Sequence, residues 1–164
     1  MVMMSEEKIV IDIDELDPRF PINVMKQLGG EALQKCFQCA VCVASCPIRA
    51  IETGYNPRKI IKMTLLGMKD RVLSDNFIWL CSVCFLCQER CPQEVRPPEV
   101  MNAIKNLAVK EGFVPPPISK ILDVLRKTGR LYAIDEFVAE ERDYMGLPKI
   151  AEQSNFVKKI LEKK

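Results

Sequence analysis

Eight cysteines in two copies of one motif constrain this chain more than any other feature. Each copy has the spacing C-x2-C-x2-C-x3-C and is followed directly by a proline, Pro47 in the first copy and Pro92 in the second. No cysteine lies outside the two copies. The eight cysteines are Cys36, Cys39, Cys42 and Cys46 in the first motif, and Cys81, Cys84, Cys87 and Cys91 in the second.

Three kinds of chemistry use cysteines in such numbers. Disulfides need an oxidising compartment, and the acidic first eight residues are not typical of a secretory signal. Structural zinc sites use C-x2-C pairs, two pairs for each tetrahedral ion, and this does not account for three cysteines at two-residue gaps with a fourth before proline. Three thiolates on a short loop can instead reach three corners of one iron–sulfur cube. The motifs therefore predict two [4Fe–4S] clusters as the cofactors.

The fourth cysteine of each motif is predicted to serve the other cluster. The three-residue gap and the proline turn this cysteine away from its own loop, as in bacterial ferredoxins. The predicted ligands of cluster 1 are Cys36, Cys39, Cys42 and Cys91, and those of cluster 2 are Cys81, Cys84, Cys87 and Cys46. The two cubes would then be close neighbours, and such a pair is a segment of an electron-transfer wire.

The composition excludes several other functions. The chain has no histidine, which removes the commonest general base and metal ligand. A net charge of +2 without a basic stripe argues against nucleic acid as a partner, and no apolar run approaches the roughly 20 residues of a membrane span. No G-x-G-x-x-G or P-loop motif is present. We therefore expect a cytoplasmic electron carrier with no catalytic residue of its own.

Breaks in the sequence pattern divide the chain into three predicted parts. The clearest break is the run Pro115–Pro117. It separates a dicluster domain over residues 22–114 from a helical C-terminal extension over 115–164, which either folds back or, as we favour, docks on another subunit. An N-terminal arm over 1–21 precedes them, and its partial alternation predicts one short strand over Ile9–Asp14.

The predicted fold class is mainly α, a helical ferredoxin with two [4Fe–4S] clusters, because the segment between the motifs has a helical pattern. Asn56 and Pro57 are predicted as the N-cap and first residue of a linking helix. Its apolar stripe, for which core packing is favoured over a partner groove, comprises Ile61, Leu65, Met68 and Val72. The other predicted helices are Ile22–Leu28, one from Arg96–Pro98 to Gly112, one from Ile118 to Gly129, Leu131–Tyr144 and Phe156–Leu161.

Side chains near the motifs allow two interpretations. Basic residues close to a cluster would raise its reduction potential, or they are solvated surface charges. The basic residues in question are Lys35, Arg49, Arg58, Arg90 and Arg96. The aromatic residues Trp79, Phe37 and Phe85 are predicted to shield the clusters from water, and Tyr55 is predicted to be a packing residue near the start of the linking helix.

The residues around the cysteines resemble the heterodisulfide reductase C subunit. The resemblance is carried by Lys35–Pro47, Tyr55–Ile61, Leu66-Gly67 and Ile78–Cys81. It covers about residues 22–112, and the Tyr-Asn-Pro-Arg and Trp-Leu-Cys elements make it more specific than the cysteines alone.

The resemblance implies a helical electron carrier in a cytoplasmic A–B–C complex of methanogens and some other anaerobes. In that family the A subunit holds flavin and further clusters, and the B subunit reduces the coenzyme M–coenzyme B disulfide. The C subunit passes electrons between them. The implied partners are thus the A and B subunits. The resemblance also allows a hydrogenase or formate dehydrogenase as a further partner in a larger complex. B-type sites need Cys-Cys-Gly motifs, which this chain lacks, so a non-catalytic role is implied.

Two alternatives stay open. One is the iron–sulfur subunit of another oxidoreductase, although succinate and fumarate dehydrogenases add an upstream C-x4-C-x2-C segment and glycolate-oxidase-like subunits add Cys-Cys-Gly repeats. This sequence contains neither. The other alternative is a free dicluster carrier of the ferredoxin type, which the long helical extension disfavours.

Overall fold

The computed structural model describes residues 11–132, 134–150, 157 and 160. Over these residues the protein consists of α-helices and short 3-10 helices, and no strand is present in this part of the chain. The predicted mainly α, ferredoxin-like fold is confirmed. The chain divides between Phe113 and Val114 into two compact units.

The first unit holds both cysteine motifs. Its α-helices are α1 (Phe20–Met25), α2 (Val41–Ala44), α3 (Pro47–Ile51), α4 (Pro57–Leu65), α5 (Lys69–Leu73), α6 (Leu86–Glu89) and α7 (Pro97–Lys110). Its 3-10 helices are Ile13–Glu15, Leu33–Lys35 and Asn76–Leu80. The second unit contains α8 (Pro116–Thr128) and α9 (Glu136–Tyr144).

Helix α7 is the centre of the first unit. It begins at Pro97, as predicted, and it packs against α1, α5, α6 and the 3-10 helix before the second motif. Its buried side chains follow helical spacing, and Val100 and Ile104 are fully buried. The same face of the helix continues through Leu107, which is partly buried, to Glu111 directly after the helix, whose carboxylate pairs with Lys69 at 3.0 Å. This packing holds the second motif against the core.

The linking helix begins as predicted but is shorter. The Asn56 side chain accepts a hydrogen bond from the Lys59 amide at 2.9 Å, and Pro57 occupies the first turn. Helix α4 then ends at Leu65 instead of running on to Val72 as one helix. Gly67 has a φ of 79°, and a Cβ there would lie 2.5 Å from the Asp17 carbonyl oxygen. The predicted stripe is therefore divided between α4 and α5, with a tight glycine turn between them.

Two predictions for the N-terminal segment need correction. The strand predicted over Ile9–Asp14 is wrong in its described part, because Ile13–Glu15 form a 3-10 helix. Asp12 favours this turn, since its carboxylate accepts the Asp14 amide at 3.0 Å. The first helix is Phe20–Met25 rather than Ile22–Leu28. It lies earlier because Phe20 and Val24, one turn apart, are both buried.

The second unit also departs in part from the prediction. Helix α8 ends at Gly129, which adopts the left-handed conformation with a φ of 70°. The helix predicted over Leu131–Tyr144 begins only at Glu136, because Asp135 caps it by accepting the Val138 amide at 2.9 Å. The helix predicted over Phe156–Leu161 falls mostly outside the described residues. Neither α8 nor α9 buries a residue.

Candidate metal centre

The two motif loops share one unusual backbone conformation. Gln38 and Ala40 have φ angles of 66° and 68°, and Val83 and Phe85, at the matching places of the second motif, have φ angles of 52° and 63°. Left-handed conformations of this kind cost non-glycine residues about 1–3 kcal/mol each. Ala40 and Phe85 directly precede the short helices α2 and α6. The repeated strain indicates that both loops are shaped for the same task.

The folded loops divide the cysteines between two pockets. One pocket is lined by Cys36, Cys39, Cys42 and Cys91. The other is lined by Cys46, Cys81, Cys84 and Cys87. We call these the first and second pockets. Helices α2 and α6 pack against each other, so the last cysteine of each motif lies in the pocket of the other motif.

Burial and the charges of neighbouring cysteines raise the pKa of two of the thiols. Burial raises the pKa of Cys42 to about 11, and the charges of Cys36 and Cys39 add to this effect. Burial likewise raises the pKa of Cys87 to about 12, with charges of Cys81 and Cys42 contributing next. Cys42 lies on α2 and Cys87 on α6, and these two helices pack against each other. Four thiolates in one pocket need compensating positive charge.

This donor set fits a polynuclear cluster better than a single ion. In the described ranges, no group of three or more Cys, Asp or Glu side chains converges on one ion position. The four cysteines of each pocket instead stand around an open volume. No disulfide joins any of them. An iron–sulfur cube places its irons at separate corners, and each thiolate binds its own iron.

Hydrogen bonds to the cysteines differ between the pockets. In the first pocket, the Gln38 side-chain amide donates to Cys36 Sγ at 3.2 Å, and the Val95 backbone amide donates to Cys91 Sγ at 3.4 Å. Beside the second pocket, Lys105 Nζ donates to the Cys81 carbonyl oxygen at 3.3 Å. Burial lowers the pKa of Lys105, while the charge of Cys81 acts in the opposite direction.

Tyr55 also reaches the second pocket. It is only 1% exposed and lines this pocket together with Cys81. Burial raises the pKa of Tyr55 well above its usual range, and the charge of Cys81 and a hydrogen bond with its side chain add to the shift. The sequence prediction of a packing residue was therefore incomplete, because it missed the polar role of the hydroxyl.

The side chains singled out from the sequence have different surroundings. Arg58 and Phe37 line the first pocket, and Phe85 lines the second. Phe37 is 60% exposed, so it shields its pocket only in part. Trp79 packs against the hydrophobic core. The remaining basic residues line neither cysteine pocket, and these are Lys35, Arg49, Arg90 and Arg96.

Lys105 was not predicted as a site residue, although the sequence held a signal. It lies one helical turn after Met101, which is buried and lines the second pocket. A lysine on the apolar side of an amphipathic helix is unusual, since lysine is rarely buried without a partner. Its distance from the motifs along the chain concealed this relation.

Known proteins are similar to this chain over most of its length. Residues 32–95 match the family model described as a 4Fe-4S dicluster domain. The C subunit of the H(2):CoB-CoM heterodisulfide,ferredoxin reductase of Methanothermobacter thermautotrophicus is 33% identical over 162 residues, which are 99% of this chain and 86% of that protein. The chain belongs to the heterodisulfide reductase C-subunit family.

Other members of the heterodisulfide reductase C-subunit family agree. The second iron-sulfur C subunit of the CoB--CoM heterodisulfide reductase of Methanocaldococcus jannaschii is 32% identical, over 93% of this chain and 85% of its own. The C subunit of the Ferredoxin:CoB-CoM heterodisulfide reductase of Methanosarcina mazei is 35% identical, over 80% of each chain. The resemblance seen in the sequence is thus confirmed.

Membership in the C-subunit family has direct consequences. The chain is an iron–sulfur subunit of a multi-subunit oxidoreductase, and its role is electron transfer without a catalytic site of its own. Its cofactors are two [4Fe–4S] clusters, as the motifs predicted. Among the described residues, no helix has both the length and the apolar character needed to cross a membrane.

Proposed function

We propose that this chain relays electrons inside a heterodisulfide reductase complex. Electrons would enter from an A subunit that holds flavin and further clusters, and they would leave to a B subunit that reduces the coenzyme M–coenzyme B disulfide. The names of the relatives include this heterodisulfide. The supporting observation is the pair of adjacent four-cysteine pockets, which together use every cysteine of the chain.

The proposal assigns a set of ligands to each cluster. Cluster 1 would be held by the cysteines of the first pocket, Cys36, Cys39, Cys42 and Cys91. Cluster 2 would be held by those of the second pocket, Cys46, Cys81, Cys84 and Cys87. A bound [4Fe–4S] cluster supplies one-electron carriage at a low reduction potential. The packing of α2, which carries Cys42, against α6, which carries Cys87, supports a short path between the two sites.

The chain by itself has no means of completing disulfide reduction. That reaction needs two electrons, whereas each site would pass one electron at a time. A free thiolate could attack a disulfide sulfur, but the proposal leaves no cysteine free. The electrons must therefore be collected on a partner. The cytoplasm is the proposed location, since its reducing conditions keep thiols from forming disulfides.

We further propose that the dicluster domain, over residues 22–114, carries electrons and that the extension over 115–164 docks on a partner subunit. Helices α8 and α9 bury no residue, yet they carry large apolar side chains. Phe137 is 68% exposed and Tyr144 is 90% exposed. Exposed apolar surface of this kind is typical of interaction sites. The sequence makes the arm before Pro21 a second predicted docking piece, but Phe20 near its end is buried in the first unit, so the proposal here concerns the extension.

The relay is tested with the full chain, purified without oxygen and chemically reduced. Reoxidation is followed by the visible absorbance of the clusters after addition of the heterodisulfide, first alone and then with the A and B subunits of the same organism. We expect reoxidation only when a B subunit is present. Reduction of the heterodisulfide by the lone chain at the rate of the complex would overturn the proposal.

Docking of the extension needs its own experiment. The Phe137→Ser and Tyr144→Ser double variant should co-purify less with the partner subunits while keeping both clusters. Ile51 is similarly exposed, at 86%, but belongs to the first unit, so Ile51→Ser is the matched control. Normal binding of the double variant to the partner subunits would show that the extension is not part of the interface.

A further inference from the structure

Two side chains from outside the motifs meet at one cysteine of the second pocket. Tyr55 is buried and lines the second pocket together with Cys81, and a hydrogen bond with the Cys81 side chain contributes to its raised pKa. Lys105 is partly buried and donates from Nζ to the Cys81 carbonyl oxygen at 3.3 Å. Cys81 is thus approached by a phenol at its side chain and by a lysine at its backbone.

The structure holds both groups firmly in place. The Tyr55 backbone amide donates to the Glu52 carbonyl oxygen at 3.1 Å, directly before the capped start of α4. Lys105 lies on α7, the central helix of the first unit, among the buried residues Met101 and Ala108. Groups on well-packed elements keep a fixed distance to a site. Tyr55 and Lys105 can therefore act as permanent partners of Cys81 and need no rearrangement to do so.

Among the residues that the structure describes, the first pocket has no equivalent arrangement. Its hydrogen-bond donors are neutral, an amide side chain from Gln38 and a backbone amide from Val95. The cation that lines it, Arg58, is exposed. Water and salt weaken the effect of an exposed charge much more than that of a partly buried one. The two pockets therefore differ in the electrostatic environment of their cysteines, although their loops match.

We propose that Tyr55 and Lys105 set the reduction potential of the second cluster independently of the first. This inference rests on the ligand sets of the proposed function. Reduction adds one electron, hence one negative charge, and no bond to Tyr55 or Lys105 forms or breaks. A hydroxyl donor at the thiolate and a nearby ammonium group both stabilise the more negative form. The pair therefore raises the potential of cluster 2 and favours residence of the electron there.

The test is a redox titration of the full chain, followed by electron paramagnetic resonance at one pH. We expect Tyr55→Phe and Lys105→Gln each to lower the reduction equilibrium constant of one cluster by about tenfold, which is 59 mV for a one-electron couple. The cluster affected should be the one whose signal Cys84→Ser alters. The Lys105→Arg variant should have the wild-type potential, because it keeps the positive charge.

Two control variants separate this effect from general disturbance. Lys110 lies on the same helix but its Nζ contacts Gln27, so Lys110→Gln should leave both potentials unchanged. Gln38→Asn should shift only the first cluster, because asparagine tolerates the left-handed backbone but its side chain is too short to reach Cys36. Iron content confirms that each variant is loaded with about eight iron atoms per chain.

The outcomes are distinct. Unchanged potentials in fully loaded Tyr55→Phe and Lys105→Gln variants would overturn this inference and leave the relay intact. Equal shifts of both clusters would also overturn it, since the effect would then not be local to Cys81. Failure of the proposed relay would be seen in the separate reoxidation experiment, as reduction of the heterodisulfide by the lone wild-type chain.

Discussion

The two cysteine pockets have matching loops but different surroundings. The left-handed residues recur at the same places of both motifs, and each loop leads into a one-turn helix. Beyond the closing prolines the match ends. Helix α3 begins at once after Cys46, whereas Cys91 is followed by an irregular stretch in which Glu94 and Arg96 have positive φ angles.

This difference shows where ligand geometry and electrostatic environment originate. The motif itself determines how three cysteines are presented, because its loop is short and strained. The surroundings come from α4, α7 and the irregular stretch after Pro92, which lie outside the repeat. A duplicated motif can thus provide two alike binding loops and still leave each pocket free to have its own potential.

The largest expected effect concerns the exchange of the fourth cysteines. Cys46→Ser should remove the cluster of the second pocket and resemble Cys84→Ser. Cys91→Ser should remove that of the first pocket and resemble Cys39→Ser. Each variant should retain about four iron atoms per chain, measured by iron and sulfide analysis, with the remaining cluster identified by its paramagnetic signal. If Cys46→Ser instead resembled Cys39→Ser, the exchange would be refuted.

A second prediction compares the hydrophobic walls of the pockets. Ile61 lines the first pocket and Met101 the second, and both are 1% exposed. Truncation of such a residue to alanine costs about 2–5 kcal/mol. We expect Ile61→Ala to accelerate loss of the first cluster and Met101→Ala that of the second, measured as bleaching of visible absorbance in mild denaturant. If both variants lost the two clusters in the same order, each wall residue would stabilise the first unit as a whole and not one pocket.

The third prediction uses salt to distinguish the effect of Arg58 on the first cluster's potential from that of Lys105 on the second. Arg58→Gln should lower the potential of the first cluster only slightly, by about twofold in the equilibrium constant, because exposed charges are weakly coupled. This shift should vanish near 1 M salt, where the screening length is about 3 Å. The Lys105→Gln shift should persist, since its site is partly buried. Equal salt sensitivity of the two shifts would argue against a buried contribution from Lys105.

The smallest expected effect concerns loop strain. Ala40→Gly should slow cluster loss, because glycine adopts a positive φ without the penalty of a side chain, a gain of about 1 kcal/mol. Phe85→Gly relieves the same strain but also removes the aromatic wall of the second pocket, so we expect no net gain. Bleaching rates of the two variants provide the comparison. Faster bleaching of Ala40→Gly would mean that its conformation is not strained.

The helical fold and the grouping of the cysteines could be inferred from sequence because both follow from short-range patterns. The cap at Asn56 and the spacing of the motifs act over a few residues. The glycine turn at Gly67 could not be foreseen, since it depends on contact with Asp17, far away in the chain. The same holds for Tyr55, in the segment before α4, and for Lys105 on α7, because both reach Cys81 only through tertiary packing of residues that are far apart in the chain. Ligation by the individual cysteines stays a prediction.

The exchange of Cys46 and Cys91 between the pockets also bears on how the protein matures. On the proposed ligand sets, neither pocket has its four thiols until both motif loops have folded, so binding of one cluster would already order the loop that the other requires. The loss of chain entropy is then borne largely by the first insertion. Biogenesis should accordingly be nearly all-or-none, and half-assembled carriers, which could accept electrons without passing them on, should be scarce in the cell.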